Sequence, residues 1–278
     1  MPTHHLSRTL TWQGRTIAWD RFGSGPALVL LHGTPWSSYL WRPFADAFAE
    51  RFTVHLWDMP GYGQSSKDSS HAVDLGFQSE VFAHLLQEWG LERPHVIAHD
   101  YGGTVALRAR LLHGARYASL CLIDVVALRP WGSPFYRLVR EHADVLTQLP
   151  PAVHRGAVEA YIRSASHRGL SKADLEALVE PWTGEAGLPA FYRQIEAADE
   201  RFTDEVEDRY GDIDEPTRIV WGADDAWIPV DHAHRLQAAM PGASLALIED
   251  AGHLVQLDAP VRLAAELTRW TESVRSTP

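Results

Sequence analysis

The chain has 278 residues, enough for one large domain or two small ones with a sizeable core. With 45% hydrophobic and 22% charged residues it reads as an ordinary globular protein, and no apolar run approaches the ~18 residues of a membrane span. A net charge of -11 argues against nucleic acid or an anionic membrane as a partner.

Met1-Pro2-Thr3-His4-His5 is not a basic-then-apolar leader, so a cytoplasmic protein is expected. Residues 8–13 and 15–22 alternate around Gly14 and predict a hairpin. Ala27-Leu28-Val29-Leu30-Leu31 is continuously apolar, as a central buried strand must be. His32-Gly33-Thr34-Pro35 breaks it, and Ser37 or Ser38 can cap a helix carrying Leu40, Trp41, Phe44 and Phe48. Phe52 to Trp57 predicts the next strand, which ends in the glycine-rich turn Asp58-Met59-Pro60-Gly61-Tyr62-Gly63. A helix over about 75–89 puts Phe82, Leu85, Leu86 and Trp89 on one face. A strand at 94–98 then leads to a corner at Asp100 and a helix to about Leu112. Ala118 to Ile123 is another buried strand, and its Cys121, the only cysteine, reads as a buried bystander.

The rhythm changes after Val126. From about Arg129 to Asp208 the patterns are helical, with a proline pair at 150–151 and no convincing strand. The acidic end of this block, Glu196 to Glu215, is expected to face solvent. Alternation resumes with a strand from Arg218 to Trp221, a helix after Asp231 and a strand from Ser244 to Ile248. A last helix is predicted from Asp258, with Pro260 as its start signal, to about Trp270. This alternation predicts an α/β fold: a mostly parallel sheet flanked by helices. Residues 1–128 and 209–278 form its core, and 129–208 a helical cap over the C-terminal edge of the strands, where such folds bind ligands. Most of the eleven tryptophans read as packing, Trp12 and Trp19 in the N-terminal strands among them. Trp131, Trp182 and Trp227 fall where a pocket is expected.

The corner Pro94-His95-Val96-Ile97-Ala98-His99-Asp100-Tyr101-Gly102-Gly103-Thr104 carries the chemistry. A sharp strand-to-helix turn with a reactive residue at its apex needs small neighbours, which Ala98, Gly102 and Gly103 supply. The known pattern is G-x-S-x-G; here Ala stands for the first glycine and Asp100 where serine is usual. A nucleophile corner, a later acid and a final histidine, in that order, resemble the α/β-hydrolase superfamily. Trp221-Gly222-Ala223-Asp224-Asp225-Ala226-Trp227-Ile228-Pro229 looks like its acid loop, W-G-x-x-D-x-x-x-P, with Asp225 at the acid position. Ala251-Gly252-His253 looks like its histidine loop and His32-Gly33 like its oxyanion loop. Asp124, at the end of a sheet strand where one branch of dehalogenases carries its acid, is an alternative, as is Asp224. Of the other histidines, His32 and His99 read as structural.

A carboxylate attacking an ester or amide would give an anhydride, whereas attack on saturated carbon gives an alkyl ester that water can hydrolyse. The resemblance therefore implies an Asp100–His253–Asp225 triad that opens epoxides or breaks carbon–halogen bonds. The backbone N–H groups of Thr34 and Tyr101 would hold the oxyanion. It calls for no metal and no cofactor, and for a small hydrophobic electrophile and water as reactants; it leaves the oligomeric state open. His32-Gly33-Thr34-Pro35-Trp36-Ser37-Ser38-Tyr39-Leu40-Trp41-Arg42 looks closely like the haloalkane dehalogenase loop H-G-N-P-x-S-S-Y-L-W-R. Yet Thr34 and Tyr101 stand where those enzymes carry halide-binding groups, and Trp131 could compensate only in part. Fluoroacetate dehalogenases carry Arg next to the nucleophile, which Tyr101 also departs from. Phe191-Tyr192-Arg193 resembles the stretch carrying a proton-donating tyrosine in epoxide hydrolases, with Tyr136 or Tyr161 as a second. Epoxide opening is thus the leading expectation and dehalogenation the alternative. A third reading, a ligand-binding member without turnover, would call for a triad lesion, and the sequence has none.

Overall fold

The computed structural model describes residues 5–275, so the N-terminal stretch read for a leader lies, but for His5, outside the described residues. Its strands are β1 (Arg8–Trp12), β2 (Arg15–Gly23), β3 (Ala27–Leu31), β4 (Thr53–Trp57), β5 (His95–His99), β6 (Ser119–Ile123), β7 (Thr217–Gly222) and β8 (Ala243–Ile248). They form one sheet in the order β1-β2-β4-β3-β5-β6-β7-β8. Pairing is antiparallel for β1–β2 and β2–β4 and parallel from β4 through β8. This is the mostly parallel sheet that the continuous apolar runs predict, because a parallel strand is buried on both faces.

Alternate residues of those runs serve two different cores. Val29, Leu31, Val96, Ala98, Leu120 and Leu122 pack on one face with α2 (Leu75–Glu88) and α3 (Tyr101–Leu112). Leu28, Leu30, Ile97, Cys121 and Ile123 pack on the other with α1 (Arg42–Phe48) and the C-terminal helix. Fully burying each such aliphatic side chain stabilises the fold by roughly 1.5–3 kcal/mol. Ser37 caps the short turn before α1 by accepting from the Tyr39 N–H, and Asp74 caps α2 through the Phe77 N–H at 3.0 Å.

Between β6 and β7 lie five α-helices, two short 3-10 turns and no strand: α4 (Pro134–Leu146), α5 (Pro151–Arg163), α6 (Lys172–Val179), α7 (Gly184–Glu196) and α8 (Arg201–Glu207). The acidic run after Glu196 does expose Glu196, Glu205, Asp208, Asp212 and Asp214, but its other face is packed inward. Phe202, Val206 and Tyr210 are buried in it, Arg108 donates to the Phe202 carbonyl at 2.6 Å, and the buried Glu215 carboxylate meets Arg110 at 2.5 Å. Beyond β7 come α9 (Asp231–Ala239), α10 (Val255–Asp258) and α11 (Pro260–Arg275). The predicted last helix is therefore two. Pro260 does start α11, but Asp258 ends α10, and its carboxylate accepts from the Gly252 and His167 N–H groups, both at 2.8 Å. It thereby ties the histidine loop to the segment after α5. No helix among the described residues is long and apolar enough to cross a membrane.

Candidate active site

β5 and α3 meet at Asp100, whose φ of 51° and ψ of -121° lie in a region L-residues avoid at a cost of ~1–3 kcal/mol. Close packing holds it there. A Cβ on Gly103 would lie 2.3 Å from Val125 Cγ1, and one on Gly102 would lie 2.6 Å from the His32 carbonyl oxygen. A third glycine is equally constrained: a Cβ on Gly33 would lie 2.4 Å from both Cβ and Oδ2 of Asp100. The glycine of the loop after β3 thus leaves room for the carboxylate itself. The loop is braced from beneath. His32 donates from Nδ1 to the Gly33 carbonyl at 2.8 Å and accepts from the Met59 N–H at 3.0 Å. Burial holds its imidazole below the ordinary value, consistent with this neutral structural role.

Asp100 Oδ2 accepts from the Thr34 N–H at 2.6 Å. Its other oxygen, Oδ1, lies 3.9 Å from His253 Nε2, too long for a direct hydrogen bond. On the far side of the ring, His253 Nδ1 donates to Asp225 Oδ2 at 2.8 Å. Asp225 Oδ1 accepts from the Trp227 and Ile228 N–H groups at 2.7 and 3.0 Å. Its carboxylate is thereby aimed at the imidazole. His99 is structural as expected, with Nε2 2.9 Å from the His253 carbonyl. Tyr101 opens α3, so its N–H has no partner within the helix and remains available to an anion.

The two alternative acids are placed otherwise. Asp224 is exposed. Asp124 is buried, with φ of 45°, and accepts from the Gly222 N–H at 2.7 Å, so it braces the start of the acid loop rather than the imidazole. Burial, reinforced by the Asp225 charge, pushes its carboxyl well above the usual range. Asp100 is also raised by burial, although His253 opposes the shift. For His253, burial pulls the imidazole down, but the carboxylates of Asp225 and Asp100 outweigh it and hold the ring well above its ordinary value. Asp100, His253 and Asp225 thus form one buried, electrostatically linked row.

A cavity of about 30 Å³ opens onto these groups, room for roughly two waters. Thr34, Asp100, Tyr101 and His253 line its floor, and Trp131, Tyr136, Tyr161 and Trp227 its walls. Tyr136 and Tyr101 bring buried hydroxyls with no hydrogen-bond partner. Burial holds Tyr136 and Tyr161 well above the usual phenol range, so both keep their protons at neutral pH. The indoles differ: Trp131 Nε1 donates to Thr203 Oγ1 at 3.2 Å and Trp227 Nε1 to Ser164 Oγ at 2.9 Å. Two sequence expectations fail here. Tyr192 does not line the cavity; its hydroxyl lies 3.0 Å from His154 Nδ1 inside the cap. Trp182, expected in the pocket wall, instead donates from Nε1 to the Pro35 carbonyl at 2.7 Å.

Residues 28–266 match the model of the alpha/beta hydrolase family. The chain belongs to that family. An alpha/beta hydrolase fold protein from Burkholderia ambifaria superposes with a TM-score of 0.93 at 43% identity, over 96% of this chain and all of that one. Haloalkane dehalogenase 2 of Mycobacterium tuberculosis is 27% identical over 265 residues, 88% of this chain and 87% of its own. A fluoroacetate dehalogenase from a Burkholderia species is 36% identical over 108 residues, 37% of this chain and 36% of its own.

In this alpha/beta hydrolase, sequence reasoning missed one residue beside the site. Gln194 of α7 is buried, and its Oε1 accepts from Thr34 Oγ1 at 2.5 Å and from the Tyr62 hydroxyl at 3.1 Å. A buried glutamine on an otherwise apolar helix face was the available signal, since buried amides need partners. The glycine-rich turn after β4 was visible, but not that its Asp58 would accept from the Ser38 and Gln64 N–H groups.

Proposed function

We propose that this hydrolase acts on an electrophilic sp³ carbon through an ester on Asp100, and that its preferred substrate is a small epoxide. Asp100 Oδ1, free of the Thr34 N–H, attacks the less hindered carbon as the ring C–O bond breaks. The alkoxide takes a proton through a cavity phenol, for which Tyr136 is our choice among the cap tyrosines because its hydroxyl has no hydrogen-bond partner, and His253 replenishes it. His253 is left neutral, the form needed as a base. It then takes a proton from water as the water oxygen attacks Asp100 Cγ, and the Thr34 and Tyr101 N–H groups hold the resulting oxyanion. Collapse expels the diol, with the second water proton passing to the departing oxygen, and the carboxylate–imidazolium pair is restored.

The observation that carries the epoxide reading is the set of donors in the cavity. Tyr101 and Tyr136, whose hydroxyls have no hydrogen-bond partner, line it, while both wall indoles are committed to Thr203 and Ser164. An opening epoxide needs a proton, whereas a departing halide needs only N–H or other weak dipoles. The raised proton affinity of His253 fits the same preference, because halide displacement would not consume its proton. Dehalogenation remains the second reading, favoured by the named activities of two relatives.

The test is His253→Gln, which should form the ester and fail to hydrolyse it, adding the substrate's mass to the peptide carrying Asp100. Wild-type protein given mixed epoxides and haloalkanes should yield diols in preference to halide. Absence of any adduct across the panel would refute the covalent mechanism. Halide release without diol would replace the epoxide reading with the dehalogenase one.

A further inference from the structure

The cap is fastened to the oxyanion loop at two consecutive residues. Gln194 Oε1 accepts the Thr34 hydroxyl at 2.5 Å, and its Nε2 donates to the Phe191 carbonyl at 3.0 Å. The second bond fixes the amide orientation: flipping it would aim an NH₂ at two hydroxyl groups and lose the Phe191 bond. One residue on, the Pro35 carbonyl accepts from Trp182 Nε1 at 2.7 Å. Trp182 is held in turn, since its own carbonyl accepts from His154 Nε2 at 2.8 Å and His154 Nδ1 accepts from the Tyr192 hydroxyl at 3.0 Å. Both lines lead back to α7, through Tyr192 and Gln194. Thr34, Trp182, Tyr192 and Gln194 are all buried.

The backbone N–H of the same Thr34 holds Asp100 Oδ2 at 2.6 Å. The cavity above Asp100 is walled by Tyr136 of α4 and Tyr161 of α5, and Tyr161 packs edge-on against Phe191 of α7 with ring centroids 6.2 Å apart, so a substrate that displaces these walls presses on α7. Any shift of α7 loads the Thr34–Gln194 bond, because Gln194 belongs to that helix. From this geometry we infer that Gln194 is a positioning residue: it couples the seating of the cap to the placement of the Thr34 N–H at the nucleophile. The inference rests on the Asp100 reading and says which step the cap controls. Ester formation needs a carboxylate free to attack. Ester hydrolysis puts a full negative charge on the oxygen facing Thr34 and depends far more on that donor.

The experiment is rapid-quench kinetics with a small terminal epoxide, following the mass of the Asp100 peptide, on wild type, Gln194→Met, Thr34→Val and the double variant. Met keeps the volume of Gln and removes the acceptor; Val keeps the shape and backbone N–H of Thr and removes the hydroxyl, so either alone tests the bond if the other fails to fold. Each single variant is expected to slow ester hydrolysis by about tenfold, part of the hundredfold or more that loss of a whole donor costs. Ester formation should change by less than about threefold, so the adduct builds up at steady state, and the double variant should be no slower than the slower single one. Equal slowing of both steps, a change confined to KM, or additive effects in the double variant would overturn the coupling. If His253→Gln forms adduct while the Gln194→Met partition equals wild type, only this inference falls. If no variant ever carries adduct, the Asp100 reading falls with it.

Discussion

Gly103→Ala tests the corner that presents Asp100. Helix propensity alone favours Ala over Gly by about 1 kcal/mol, so in open space the substitution would stabilise α3. The added Cβ would instead lie 2.3 Å from Val125 Cγ1 and 2.5 Å from Val125 Cβ. Rotating χ1 can move Cγ1, but Cβ is fixed by the backbone of a residue that is itself fully buried, so α3 or the segment after β6 must move. Overpacking of this kind costs ~1–3 kcal/mol, and the unavoidable Cβ contact puts it in the upper part of that range. After the propensity gain, a net loss of about 1–2 kcal/mol remains, a fall in the unfolding midpoint of roughly 2–8 °C. Val125→Ala removes both γ-methyls and leaves Cβ, so relief is partial. The double variant should be more stable than the summed single effects by about 0.5–1.5 kcal/mol. Thermal unfolding of all four proteins measures this. A midpoint that rises in Gly103→Ala, or strict additivity in the pair, would refute the argument that this glycine is required by close approach.

The remaining predictions concern the site and one buried ion pair. Because burial raises the Asp100 carboxyl, ester formation should fall as pH drops through a value above the ordinary Asp range; a single-turnover pH profile with its acid limb at or below that range would contradict this. Tyr136→Phe should slow epoxide opening by about a hundredfold while Tyr192→Phe leaves that step nearly unchanged, and the reverse order in burst kinetics would return the proton-donor role to Tyr192. Arg110→Met strands the Glu215 carboxylate, whose side chain is 1% exposed, and should cost about 3 kcal/mol in urea unfolding, the lower end of the range because Arg116 lies 3.7 Å away. Arg129→Met, which breaks a pair with side chains 60% and 33% exposed, should cost under ~1 kcal/mol.

What the sequence made legible follows from how local its causes are. Ala27–Leu31 and Ser119–Ile123 announce themselves as central strands because a strand buried on both faces has no polar alternation to confuse the reading. The corner was readable because its constraint falls on small residues next to Asp100. The Asp225–His253 pair followed from motif order rather than from any local pattern. The cap was legible only as helical. Whether a cap tyrosine faces the cavity depends on which way α4, α5 and α7 are turned, and a pattern that fixes a helix does not fix its rotation against a distant loop. Tyr192 and Gln194 lie two residues apart on α7; one bonds within the cap and the other reaches Thr34, a distinction that only their partners create. In the acidic run most carboxylates do face solvent, and the exception has a similar reason: charge density predicts solvent, but Glu215 finds Arg110 more than a hundred residues away in sequence.

The proposed two-step chemistry requires His253 to be an acid first and a base afterwards, and its surroundings supply a reason for the change. Two carboxylates support the imidazolium: Asp225, bonded to Nδ1 at 2.8 Å, and Asp100, 3.9 Å from Nε2. Esterification neutralises Asp100 and leaves Asp225 in place. The burial that disfavours the cation then acts against one supporting charge instead of two, so the ring's affinity for a proton falls when a base is needed. Asp100→Asn imitates the ester by removing the same charge without changing the shape of the side chain. His253 in that variant should therefore titrate at lower pH than in the wild type, with more of the ring neutral at any pH between the two midpoints. Imidazole nitrogen and carbon resonances of the two proteins, followed across pH, measure the difference directly. An unchanged or higher midpoint in Asp100→Asn would mean that Asp225 alone governs the ring, and that esterification does not convert it into the base the second step needs.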